Sequence, residues 1–123
     1  MAAAVSVLLN REPVAILAPM EPPDDAADLA AWIRHRDEDA LARLIARHSG
    51  LVTGVCRRRL GGGLGADEAV QAVFIILAER AGRIADPASL GPWLHGVAMR
   101  VCLKAQRTWA RRARHEQRAA RAL

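Results

Sequence analysis

Residues 69–78 read AVQAVFIILA, ten positions with Gln71 as the only polar side chain. Asp67 and Glu68 stand just before the run, where the positive end of a helix macrodipole favours acids. At 100° per residue, Ala66, Val70, Val73, Phe74, Leu77 and Ala81 form one stripe wide enough to face a core. Asp67, Gln71, Ile75 and Ala78 form a neighbouring stripe that such a core does not need. A helix apolar nearly all round must be covered on nearly every side. Two arrangements satisfy that requirement: the helix is the centre of a tight bundle, or a second molecule lies on it. Carboxylates and one amide along its edge suit a partner helix that carries arginines. Ala72 and Ile76 point to a third face that neither core nor partner clearly claims.

The rest of the chain supplies helices for such a bundle. Asp24 or Asp25 follows a proline pair and caps a short helix running to about Arg34, with Leu29, Trp32 and Ile33 on one face. Asp37 caps the next helix, and Glu38 and Asp39 fill its first turn. Leu41, Leu44, Ile45, His48, Val52, Val55, Cys56 and Leu60 then recur at steps of three and four. That spacing predicts one long amphipathic helix through Gly50, with Arg57, Arg58 and Arg59 at its C-terminal end. Leu94, Val97, Ala98, Val101, Cys102, Ala105 and Trp109 give the same signature in a last long helix with Pro92 in its first turn. No strand pattern is present: alanine and leucine carry the apolar mass, and only 3% of the residues are aromatic. At 123 residues the expected fold is all-α. It is a compact bundle of three to four helices over residues 24–115, with a basic helical extension and a basic tail at 116–123.

The net charge of +5 is unevenly placed: residues 98–123 hold eight cations and one acid, a net +7, so the remainder sums to −2. Arg100, Lys104, Arg107 and Arg111 make a stripe along the last helix at helical spacing. An arginine-rich segment of this kind is a footprint for phosphate, in nucleic acid or in an anionic membrane; the plain alternative is a solvated face that keeps the chain soluble. Concentration of the charge in one segment favours nucleic acid. Residues 1–23 begin apolar but lack a basic start and are interrupted by Asn10, Arg11, Glu12 and Pro13. They read as a loose leader rather than a signal peptide, and no apolar run is long enough to span a bilayer. Cys56 and Cys102, with no CxxC spacing, fit a reducing cytoplasm.

Nothing in the sequence assembles a catalytic centre. The acids sit at helix starts, where capping accounts for them, and no nucleophile stands beside a base. The GGGLG run at 61–65 has no strand before it and no lysine-serine or lysine-threonine after it, so it connects helices rather than cradling phosphate. His48 with Cys56, and His95 with Cys102, come nearest to a zinc set. The members of each pair lie two turns apart, roughly 10–12 Å along the axis, too far to share one ion. No cofactor and no enzymatic activity are expected. Residues 82–92 form a loop of about ten residues, a length at which loops of small helical proteins are commonly functional.

RHSGLVTGVCRRRL, then ADEAVQAVF, then SLGPWLHGVAMRVCLKAQR with a trailing RRARHE, resembles region two of the extracytoplasmic-function (ECF) sigma factors, promoter-recognition subunits of bacterial RNA polymerase. The likeness runs in order from about Asp28 to Glu116. It implies a sigma region-two domain that binds core polymerase and recognises and melts the −10 promoter element. The opening helix would bind the clamp helices of the largest subunit through Asp67, Glu68, Gln71 and Ile75, with Phe74 largely core. Segment 83–91, with Arg83, Asp86 and Ser89, resembles the element that captures a flipped −10 base. Arg100, Lys104 and Arg107 would meet phosphates of the non-template strand, and Arg111 and Arg112 the upstream duplex. Trp93 at the helix start serves equally as a base-stacking platform or as core. An anti-sigma factor is a further partner of the kind the family implies. The family's acidic pair commonly runs Glu-Asp and here is Asp67-Glu68, and the last helix is poor in aromatics. The family's second domain, region four, is not expected within these residues. A regulatory or degenerate sigma-like domain that holds polymerase or another protein without opening promoters, and a generic basic nucleic-acid binder, are the alternatives.

Overall fold

Asp24 and Asp37 open two helices through their side chains. The computed structural model describes residues 2–9 and 24–123. α2 (Asp25–His35) starts where Asp24 accepts the Ala27 N–H at 3.1 Å. α3 (Glu38–Leu60) starts where Asp37 accepts the N–H groups of Asp39 and Ala40 at 3.0 and 3.3 Å. Each cap satisfies donors that a helix start leaves without an intrahelical partner. Gly61 ends α3 at φ 80°, in the left-handed region that suits glycine, and its N–H returns to the Arg57 carbonyl at 2.9 Å. α4 (Leu64–Arg80) and α5 (Leu90–Ala122) follow. Among the described residues there is no strand, and the all-α expectation holds.

α3 is the hub, packing on α2, α4 and α5, while α4 and α5 also pack on each other. Leu41, Leu44, Val52 and Cys56 of α3 meet Val73, Phe74 and Leu77 of α4 and Leu90, Leu94, Ala98 and Cys102 of α5 in one core. All but Leu90 are positions that the three-and-four spacing selected; Leu90 comes from the segment expected to be loop, while His48, selected by the same spacing, pairs with Asp25, and Trp109 is 42% exposed. Burial, and then the neighbouring Cys102 thiol, push the Cys56 thiol up from 9.0 to about 12.

α2 is fixed to α3 by charge as well as by packing. Asp28, only 7% exposed, accepts from Arg43 Nε at 3.0 Å and from Arg47 Nη2 at 2.6 Å. Asp25 accepts from Arg47 Nε at 3.0 Å and pairs with His48 Nε2 at 2.9 Å. Burial works against the Arg47 charge, but the two carboxylates more than offset it and its pKa is raised. The buried side of α2 is therefore centred on Asp28, Leu29 and Trp32, which leaves Ile33 at its edge and 43% exposed, not on the packed face expected from the sequence.

Trp32 reaches α4. Its indole N–H donates to the Ala78 carbonyl at 2.9 Å, one of the last-turn carbonyls that a helix leaves free. Arg36 donates to the same oxygen at 3.4 Å, and its guanidinium stands 4.9 Å from the Trp32 ring centroid. Ala78 itself is fully buried, so it belongs to the core and not to the docking stripe in which the helical wheel placed it.

Three boundaries differ from expectation. α4 begins at Leu64, about a turn before Asp67. The loop at 82–92 is condensed into two 3-10 turns, Ala81–Arg83 and Pro87–Ser89, after which α5 begins at Leu90. Residues 116–122 are the continuation of α5 and not a separate tail. At the other end, Ala2–Leu9 form a helix, α1, that packs on α3 and α4 with Val5 and Leu8 in the core. The loose-leader expectation does not describe these eight residues; its remainder, residue 1 and residues 10–23, lies outside the described residues.

Candidate docking face and nucleic-acid interface

Asp67 stands exposed in the first turn of α4 and Glu68 just after it, and Glu79 stands exposed near its end. Between them, no residue from 69 to 78 is exposed. Ala66, Val73, Phe74, Leu77 and Ala81 are buried as the stripe predicts, joined by Ala69 and Ala78. Val70, Gln71, Ala72, Ile75 and Ile76 are half-buried, with Ile75 and Ile76 against the core. The Gln71 amide donates to the hydroxyl of Ser6 in α1. The glutamine that the sequence left without a partner inside the chain therefore has one, and α1 covers part of the surplus apolar surface.

The segment between α4 and α5 is held by its own polar groups. Asp86 caps the second 3-10 turn, accepting the Ala88 N–H at 3.0 Å, and its carbonyl accepts the Ser89 N–H at 2.9 Å and the Ser89 hydroxyl at 2.6 Å. Arg83 is exposed at the end of the first turn. Asp86 and Ser89 are thus together but bonded to each other. Beside them lies an open concavity of about 560 Å³ lined by Asp24, Asp25, Ala26, Arg47, His48, Pro87 and Ala88. Trp93 is half-buried against the core.

α5 is 33 residues long, about 50 Å at 1.5 Å per residue, and from Ala110 onward every residue is exposed. Two contacts fasten its middle. Gln106 Nε2 donates to the Arg59 carbonyl at 3.0 Å, and the Trp109 ring lies against Gly65. With Leu94, Val97, Ala98 and Cys102 buried, Arg100, Lys104, Arg107, Arg111 and Arg112 are turned to solvent. Lys104, Arg107, Ala110, Arg111 and Arg114 line a shallow concavity of about 610 Å³ along the helix. None of these cations makes an ion pair among the described residues, whereas Arg43 and Arg47 on α3 are both paired.

His48 is engaged with Asp25 and His95 is exposed, while Cys56 and Cys102 are buried, so the four do not converge. Among the described residues no group of three or more His, Cys, Asp or Glu side chains is placed to hold a metal ion, and no helix is long and apolar enough to cross a membrane. The ion-pair network of α2 with α3 and the Gln71–Ser6 contact escaped the sequence reading, because both depend on which helix faces are apposed.

The model of the sigma-70 region 2 family matches residues 44–116, more than half of the chain, and the chain belongs to that family. Its members act in transcription initiation as non-enzymatic factors, binding RNA polymerase and recognising promoters. No curated protein and no solved structure matches the chain.

Proposed function

We propose that this is a region-two domain of the ECF type, acting in the cytoplasm, which docks on the clamp coiled coil of the polymerase's largest subunit through α4. In this reading Asp67, Glu68, Gln71 and Ile75 meet the coiled coil. Arg100, Lys104, Arg107, Arg111 and Arg112 of α5 hold the −10 promoter DNA, with Arg83, Asp86, Ser89 and Trp93 at the flipped base. The observation that carries it is the contrast in ion pairing: the arginines of α3 that face α2 are neutralised, and the cations along α5 are exposed and make no ion pair among the described residues. A cationic groove beside a place for an unstacked base is what capture of a melted strand requires. The chain then catalyses nothing; duplex opening is driven by binding energy for unpaired bases.

Titration of the protein with single-stranded −10 DNA, varied one base at a time and over a range of salt, tests this reading. It expects a base preference at one or two positions on top of a salt slope of about −0.7 per phosphate contacted. A steep slope with no base preference makes the domain a generic basic binder. One observation favours a second reading, a sigma-like domain that holds polymerase without opening promoters: the Asp86 carboxylate is engaged by the Ala88 N–H and the Ser89 hydroxyl by the Asp86 backbone carbonyl. Binding to the coiled coil with no measurable −10 strand binding is its signature.

A further inference from the structure

We propose that α1 is a displaceable cover: in the free chain it occupies the Gln71 edge of α4, and the polymerase coiled coil must take that edge from it. The inference rests on the docking role of α4 proposed above and adds a competitor to it.

Three observations bring α1 to this face. Ser6 accepts the Gln71 amide, the one polar group of the run at 69–78. Val5 and Leu8, on either side of Ser6, are buried in the same core as Val73, Phe74 and Leu77. α1 also packs on α3, so it lies across the α3–α4 seam rather than projecting from it.

The match between α1 and this face is incomplete, which makes it displaceable. Its sequence, AAAVSVLL, contains no charge. It satisfies the apolar and amide part of the α4 face and offers nothing to Asp67, Glu68 and Glu79, which are exposed and make no ion pair among the described residues. A coiled coil presenting arginines supplies both kinds of contact. An eight-residue helix is also too short to persist alone in water, so α1 owes its order to this packing and loses it on release.

The test uses the full chain and a peptide hairpin bearing the clamp coiled coil. On saturation with the hairpin, amide hydrogens of residues 5–9 should lose their protection against exchange; retained protection in a formed complex overturns the cover. Ser6→Ala, which frees the Gln71 amide without emptying the core, should tighten hairpin binding about two- to tenfold. Deletion of residues 1–9 should tighten it by roughly tenfold or more, as expected when the competent state is a minor one. Gln71→Ala should weaken binding clearly in the deleted chain and by less in the full chain, because there it also loosens α1. If full and deleted chains bind equally and Gln71→Ala weakens both alike, α4 docks and α1 covers nothing that matters. If no form binds the hairpin, the docking reading falls and the cover falls with it.

Discussion

The Trp109 ring comes so close to the start of α4 that a Cβ placed on Gly65 would be 2.8 Å from two of its carbons, Cη2 and Cζ2. This contact and the Gln106–Arg59 bond are what hold the middle of α5 before it leaves the bundle. Gly65→Ala gains helix propensity of up to about 1 kcal/mol but drives the ring away. Trp109 is 42% exposed and free to swing, so the expected result is a net stability change within about 1 kcal/mol and a shifted Trp109 indole resonance. Gly50→Ala is the control: nothing lies within 4 Å of its Cβ, and the substitution in mid-α3 should stabilise by about 0.5–1 kcal/mol in a thermal melt.

Asp28 is the buried anchor between α2 and α3, and its removal leaves Arg47 without its shortest partner. Asp28→Asn should lower stability by about 1–3 kcal/mol, read as a fall in urea midpoint at unchanged slope. Asp25→Asn should cost less, because that carboxylate is more exposed and water replaces part of what is lost.

Much of this framework was legible in the sequence, and the misses have a common cause. The caps Asp24 and Asp37 and the spacing of Leu41 through Leu60 are local signals, and α2 and α3 start where they say. The all-round apolarity of α4 announced an extra cover. What it did not announce was a cover from the same chain, because AAAVSVLL has neither a side-chain cap nor a polar face. Ile33 lies off the packed face because an ionic network centred on the buried Asp28, set by the apposition of α2 and α3, turns that side of α2 inward. The cation stripe of α5 was legible from spacing alone; that its cations make no ion pair among the described residues needed the fold.

The buried thiols give a pH prediction. Cys56 is held up near 12 in the folded chain against 9.0 ordinarily, so folding favours its neutral form. That contribution is fully present below about pH 9 and is lost as pH rises through about 12. Stability measured across pH 8–12 should therefore fall on the alkaline side, less steeply in Cys56→Ala. At pH 8 iodoacetamide should modify Cys56 and Cys102 only as fast as the chain opens, since both are buried in the native state.

On α5, Arg107→Ala should weaken single-strand binding about equally for all sequences and reduce the salt slope by about 0.7. Asp86→Ala removes a cap and frees the Ala88 N–H, so it should alter base preference while leaving the salt slope unchanged.

Docking of α4 on the polymerase is most directly tested by titrating the full chain with the clamp coiled-coil hairpin, wild type against Asp67→Lys/Glu68→Lys. Both acids are exposed and neither touches α1 through a hydrogen bond, so the fold and the cover are left in place. The expected result is saturable one-to-one binding that charge reversal weakens at least about tenfold, the difference shrinking at high salt. Binding that is absent, or that is indifferent to the reversal, contradicts it.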